Sequence, residues 1–157
     1  MKLLLPYERG QLYQLTSRDE RRKFNQLLDV FHPQGHARGP MMRGKRDLVY
    51  MIQGDWCVLM TIHKINNPRV SQIYRLDMES TWMLRRIVTI PMAKTKYGDV
   101  AVEALKALEE YLRKGGEEAI ITLTLPRHSG GLYKKAGYEQ MGTTVKGNMI
   151  WWIRRLR

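Results

Sequence analysis

Residues 82–125 constrain this chain more than any other stretch. The segment 82–90 is rich in strand formers, among them Trp82, Ile87, Val88, Thr89 and Ile90, and Pro91 stops its ladder. From Asp99 to Lys114 the apolar residues Ala101, Ala104, Leu105, Leu108 and Leu112 share one helical face, and Gly115-Gly116 end the helix. The run 119–125 is again β-rich, with Ile120, Ile121, Thr122 and Leu123 in succession. Strand, helix, strand with short links predicts a βαβ unit: two parallel neighbouring strands joined by a right-handed crossover. Residues 92–98 between strand and helix read as a loop.

The rest of the chain supplies more strands and one further helix. Residues 10–16 alternate weakly and predict a first strand. Ser17 with Glu20 fits a capping box, and Phe24, Leu27, Leu28 and Phe31 form one apolar face behind it. His32-Pro33 ends that helix, because the residue before proline disfavours the α region. Residues 47–53 and 56–65, split by Gly54-Asp55, predict a β-hairpin, and 138–145 with 148–154 predict another. Residues 69–76 suit a strand or a helical face equally. With no repeat and no linker in 157 residues, the expectation is one α/β (α+β) domain, a mixed sheet flanked by helices.

Charge and cysteine narrow the function classes. Lys and Arg number 27 against 15 Asp and Glu, a net charge of +12. Such a field steers a protein toward nucleic acid or an anionic surface. The cations cluster: Arg38, Arg43, Lys45 and Arg46 share a loop without an acid and are expected to contact phosphates. No basic amphipathic helix supports a membrane partner, and no apolar run is long enough to span one. The single cysteine, Cys57, excludes an internal disulfide and sits in a strand as a small core residue, which suggests a reducing, cytoplasmic setting. His32, His36 and Cys57 have no metal-site spacing, so no metal is expected.

The βαβ unit is followed by His128-Ser129-Gly130-Gly131-Leu132-Tyr133-Lys134-Lys135-Ala136-Gly137-Tyr138. That order, closed by Leu-Tyr-Lys-x-x-Gly-aromatic, resembles the C-terminal half of the GCN5-related N-acetyltransferase (GNAT) superfamily. The resemblance implies a GNAT-like sheet and a site for acetyl-CoA or another acyl-CoA between the two parallel strands. It implies a pyrophosphate on the backbone amides of 94–100, with Ile90, Lys94, Lys96, Gly98 and Asp99 as the cofactor set. The family pattern there is Arg or Gln, two residues, Gly, one residue, Gly or Ala, and Thr95 and Val100 depart from it. Asp99 would repel phosphate unless it caps the helix. Tyr133 matches the family tyrosine that can protonate the leaving thiolate; packing is its alternative role.

Where many family members have an asparagine a few residues before that tyrosine, this chain has Arg127-His128. The His-x-Gly-x-Leu-Tyr-Lys spacing is similar to phage Mom-type proteins, acyltransferase-like enzymes that modify adenine in DNA and protect it from restriction. That resemblance implies acyl transfer to a nucleic-acid amine, DNA rather than tRNA, with His128 and Glu79 as candidate catalytic groups and His63 as a rival base. Arg85 and Arg86 are consecutive in the 82–90 strand and are expected on opposite sheet faces, with Arg85 a candidate for the nucleic acid. Trp82, Trp151 and Trp152 are candidates to stack on a flipped base. Two alternatives stay open: acylation of aminoacyl-tRNA or protein, and a non-enzymatic binding or blocking module, for which the departures in the phosphate loop argue.

Overall fold

The computed structural model describes residues 1–39 and 42–157; Pro40 and Met41, inside the basic loop, lie outside the described residues. In chain order the elements are β1 (Lys2–Tyr7), β2 (Gly10–Gln14), α1 (Arg18–Phe31), β3 (Arg46–Ile52) and β4 (Asp55–Lys64). Then come α2 (Pro68–Tyr74), β5 (Thr81–Thr89), α3 (Pro91–Tyr97), α4 (Ala101–Lys114) and β6 (Ala119–Thr124). The chain closes with α5 (Gly131–Lys135), β7 (Glu139–Thr143) and β8 (Ile150–Arg155). The strands form one eight-stranded sheet in the order β1-β2-β3-β4-β5-β6-β8-β7. β5 and β6 pair in parallel and the other neighbours antiparallel, so the sheet is mixed, as the βαβ pattern predicted.

Local chemistry explains most elements. Ser17 Oγ accepts the Glu20 N–H and the Glu20 carboxylate accepts the Ser17 N–H, each at 3.1 Å, which completes the capping box of α1. Phe24 and Leu28 of α1 then pack on Leu15, Val49 and Leu59 on one sheet face. Asn67 Oδ1 accepts the Arg69 and Val70 N–H groups and Pro68 occupies the first turn, so the ambiguous segment is the helix α2. On the opposite sheet face, Leu105 and Leu108 of α4 pack on Leu48, Met60, Trp82 and Ile120. Burying a leucine stabilises by about 1.5–3 kcal/mol, so this face anchors the fold.

Two expectations change. Residues 92–98 are not a loop: α3 fills them, with Pro91 at its start and the Gly98 N–H donating to Lys94 O at 2.9 Å. α4 accordingly begins at Ala101 and not at Asp99. β1 is an added edge strand, where Pro6 is tolerated. Among the described residues no helix is long and apolar enough to cross a membrane.

The feature that positions the site is a fork. β5 and β6 share only three pairs, Thr81–Ala119, Trp82–Ile120 and Met83–Ile121. The Thr122 hydroxyl then donates to Leu84 O at 2.9 Å. Beyond that bond β5 stays paired with β4 as far as Thr89, while β6 stays with β8 as far as Thr124. The strands diverge, each held by its outer neighbour. β5 also bulges at this level: Ile62 faces Leu84 and Thr61 faces Arg86, leaving Arg85 as the extra residue. A bulge bends and twists its strand, which helps to open the fork.

Candidate active site at the sheet fork

Tyr133 approaches the fork from the α4 face. It stands on α5, which starts at Gly130 in the left-handed region (φ 69°). A Cβ on Gly130 would lie 2.2 Å from Trp152 Cζ2, so glycine is required there. The Tyr133 ring stacks on Trp152, with centroids 6.3 Å apart, and tilts against Tyr138 at 5.4 Å. Tyr133 is therefore core packing, yet its phenol lies beside the Thr122 hydroxyl, which marks the point where the strands part. Burial pushes the phenol's pKa up and Thr122 offsets this in part, so the group holds its proton at neutral pH.

The other face of the fork carries a cavity of about 200 Å³ lined by Gln34, Met83, Leu84, Arg85, Arg86, Leu123 and Met149. The expectation that Arg85 and Arg86 point to opposite faces is corrected: the bulge breaks the alternation and both line this cavity. Arg86 Nε donates to Gly35 O at 2.9 Å and one terminal nitrogen donates to Arg85 O at 2.8 Å. Burial and then the Arg85 charge lower the Arg86 pKa. His63 lies directly across β4–β5 from Met83 and is 3% exposed. Its Nδ1 is 2.9 Å from Lys64 O, and its Nε2 is buried without a partner among the described residues. Burial depresses the imidazole pKa, the Lys64 carbonyl opposes this, and Arg85 depresses it further. His63 is thus a neutral imidazole.

Several residues singled out from sequence lie elsewhere. Glu79 precedes the closed end of the fork and is two-thirds exposed, held by Arg43 at 2.8 Å and Lys64 at 3.4 Å. Those partners hold its carboxyl below the usual range, Arg43 foremost. Arg43 also donates to Ile65 O and Met78 O. Arg46 lies over the Trp82 ring at 4.7 Å and donates to the Tyr111 hydroxyl. Arg43 and Arg46 are thus engaged with protein groups, Arg43 while still 42% exposed, and Arg38 faces solvent with a 3.7 Å approach to Asp29. Lys45 is 3.8 Å from Asp47. His128 is exposed in a turn whose N–H donates to Leu125 O.

Sequence reasoning missed a second basic surface. Arg18, Arg21 and Arg22 of α1 and Lys45, with Asn25, Gln26 and the acids Asp29 and Asp47, line an open groove of about 530 Å³. The run of Arg18, Arg21, Arg22 and Asn25 at i, i+3, i+4 and i+7 was the available signal.

The expected cofactor set is only partly assembled. Ile90 sits where β5 turns into α3, its N–H donating to Cys57 O. Gly98 has φ 84° and ψ −156°, with open space where a Cβ would stand. Lys94 is exposed, but Lys96 pairs with Asp55 at 3.0 Å. Asp99 Oδ1 accepts the Ala101 N–H at 3.3 Å, one residue ahead of the α4 N-cap, Val100, which makes no side-chain cap. Because α3 is helical, the Gly98 amide is spent within it. The fork edge fits an extended amide-bearing arm, and in the β5–α4 connection the Gly98 and Ala101 N–H groups are already engaged.

The chain is 33% identical over 126 residues to uncharacterized protein 154 of Sulfolobus islandicus rod-shaped virus 1, covering 76% of this chain and 79% of that protein. It belongs to the family of that viral protein. No protein-family model matches the chain. An acetyltransferase of the GNAT family from Listeria monocytogenes 4b F2365 superposes with a TM-score of 0.67 at 10% identity, covering 96% of this chain and 98% of that one. The ribosomal-protein-S18-alanine N-acetyltransferase of Escherichia coli superposes at 0.62 and 12% identity, with 94% of each chain covered. An aminoglycoside acetyltransferase in complex with coenzyme A gives 0.64 at 15% identity, covering 92% and 93%. The fold is therefore that of the GNAT acetyltransferases.

Proposed function

We propose that this protein is an acyl-CoA-dependent N-acyltransferase whose acceptor is an amine on nucleic acid. One observation carries the reading: a proton-bearing phenol, Tyr133, and a bulged strand edge meet at the point where β5 and β6 part. Past Leu84 the β5 edge toward β6 has no strand partner among the described residues, and an extended amide chain can pair with such an edge. A bound CoA thioester would supply an activated acyl carbon there. The GNAT fold, including the neighbour crystallised with coenzyme A, supports this assignment.

The chain's own residues have distinct tasks. Tyr133 holds a proton at Oη and is placed to give it to a departing thiolate as a general acid. Arg85 and Arg86 line the opposite face, from which the acceptor enters. His63 is a better candidate base than Glu79: it is neutral, its Nε2 is uncommitted, and it adjoins Met83 of the entry cavity. Glu79 is spent on Arg43 and Lys64. His128, exposed beyond the end of β6, is assigned to positioning substrate. The nucleic-acid acceptor is supported by the net charge of +12 and by the α1 groove, where Arg18, Arg21, Arg22 and Lys45 are phosphate contacts, with the exposed Arg38 outside it as a further one. A base amine must be flipped out or single-stranded to reach the fork; DNA base modification of the Mom type is the form that we favour.

The rival reading is a nucleic-acid-binding module, favoured by the helical α3 and by the Asp99 carboxylate on the Ala101 N–H where a phosphate cradle is expected. Incubation with acetyl-CoA and single-stranded DNA, followed by intact-mass analysis of nucleosides, separates the two. An added acyl mass on one nucleoside supports the enzyme. DNA binding without calorimetric CoA binding at millimolar ligand leaves the module.

A further inference from the structure

The paired guanidiniums of Arg85 and Arg86 have a use beyond lining the cavity. Two consecutive cations on one wall repel each other, and burial of Arg86 adds to the cost. Proteins usually relieve such a pair with a carboxylate. Among the described residues no carboxylate lies within ion-pair distance of either, although Glu79, Asp55, Asp29 and Glu109 each pair with cations elsewhere. Arg86 is fixed by the Gly35 and Arg85 carbonyls, while the Arg85 guanidinium has no hydrogen bond to the described residues. One cation is thus preorganised and its neighbour uncommitted. Arg85 is exposed at the cavity mouth and Arg86 half-buried behind it, with Met83, Leu84 and Leu123 as apolar lining and Gln34 as a neutral amide.

We propose that Arg85 and Arg86 form an oxyanion-binding subsite for a phosphate group of the acceptor, on the face of the fork opposite Tyr133. Its acceptor role rests on the acyltransferase reading above; the subsite itself does not. Guanidiniums match phosphate with paired N–H donors, and two of them balance a doubly charged group. The β-bulge is the device that builds the site. Regular alternation would put Arg86 on the α4 face, and the extra residue brings both cations to one wall. A phosphate held there anchors the acceptor beside the fork and leaves its amine free to enter.

The test is titration of the full chain with inorganic phosphate, followed by NMR of the arginine Nε–Hε resonances. Saturable shifts of Arg85 and Arg86 are expected. Arg85→Gln should weaken phosphate binding at least about 10-fold, the loss of one charge-assisted bond, whereas Lys106→Gln, an exposed cation on α4, should not. Should Arg86→Gln fail to fold, Arg86→Lys keeps the charge, loses the planar fork and should still weaken binding. Repeating the titration with a dinucleoside monophosphate and with a nucleoside 5′-monophosphate identifies a backbone diester or a free phosphomonoester as the source. Absence of saturable shifts, or equal binding by Arg85→Gln, overturns the subsite. Displacement of phosphate by CoA also overturns it, because the arginines would then serve the donor. CoA binding is read separately by calorimetry: phosphate binding without CoA binding sinks the acyltransferase reading alone.

Discussion

The two ends of β5 treat their charged residues in opposite ways. At the closed end, where β5 and β6 pair, Glu79 is held by Arg43 and Lys64, and Ser80 and Asp77 bond each other. Charged groups there are consumed in structure, although Thr81 Oγ1 and Trp82 Nε1 are buried without a partner among the described residues. At the open end the ladder stops, and Arg85 and the β5 edge have no partner among the described residues; the buried His63 Nε2, unpartnered too, lies level with the last paired residue, Met83. A charged side chain's identity therefore says less about its role than whether the fold gives it a partner. Open-end substitutions should change chemistry and binding, and closed-end substitutions should change stability.

The largest effect tests the open end directly. Tyr133→Phe keeps the ring that stacks on Trp152 and removes one hydroxyl. Turnover should fall roughly 10²–10⁴-fold, the range for positioned acid–base groups, with thermal stability nearly unchanged. Full activity with native stability would reduce Tyr133 to packing and erase the contrast.

The next effect separates the two basic surfaces. Replacing Arg18, Arg21 and Arg22 with Gln should lower DNA affinity and flatten its salt dependence by up to about 0.9 in slope per lost phosphate contact. Replacing Arg43 and Arg46 should leave the slope as it is. The reverse result would return phosphate binding to the loop that the sequence first suggested.

Arg46→Gln removes a cation from the Trp82 face and a donor from Tyr111. It should cost about 1–2 kcal/mol in chemical unfolding without altering kcat.

The smallest effect is a pH dependence. The pKa of Glu79 is depressed, so its contribution is present above the usual carboxylate range and is lost as pH falls through the lowered value. Glu79→Gln should flatten the acid limb of Tm against pH slightly, because the pair is solvent-exposed. A large loss of turnover in that variant would make the closed end catalytic after all.

Much of the fold was legible because it is written in local patterns. The capping box at Ser17, the apolar face of α4 and the turn at Gly54 depend on residues a few positions apart. The parallel pairing of β5 with β6 followed from chain connectivity. α3 escaped because its short, cationic sequence shows no clear apolar face and gains its place by tying Tyr97 to Asp55. β1 escaped because its pairing partner, β2, was itself only weakly patterned.

The site divides along the same line. Sequence by itself determined that a tyrosine follows a βαβ unit and that cations outnumber acids, since both are properties of order and count. Only tertiary structure decided that the strands part after Met83, and that a bulge turns Arg85 and Arg86 to one wall. It also decided that Arg43 and Arg46 are spent while Arg18, Arg21 and Arg22 line a groove. The physical reason is range. Helix and strand formation depend on neighbours along the chain, whereas a charge's availability depends on groups tens of residues away, such as Tyr111 beside Arg46.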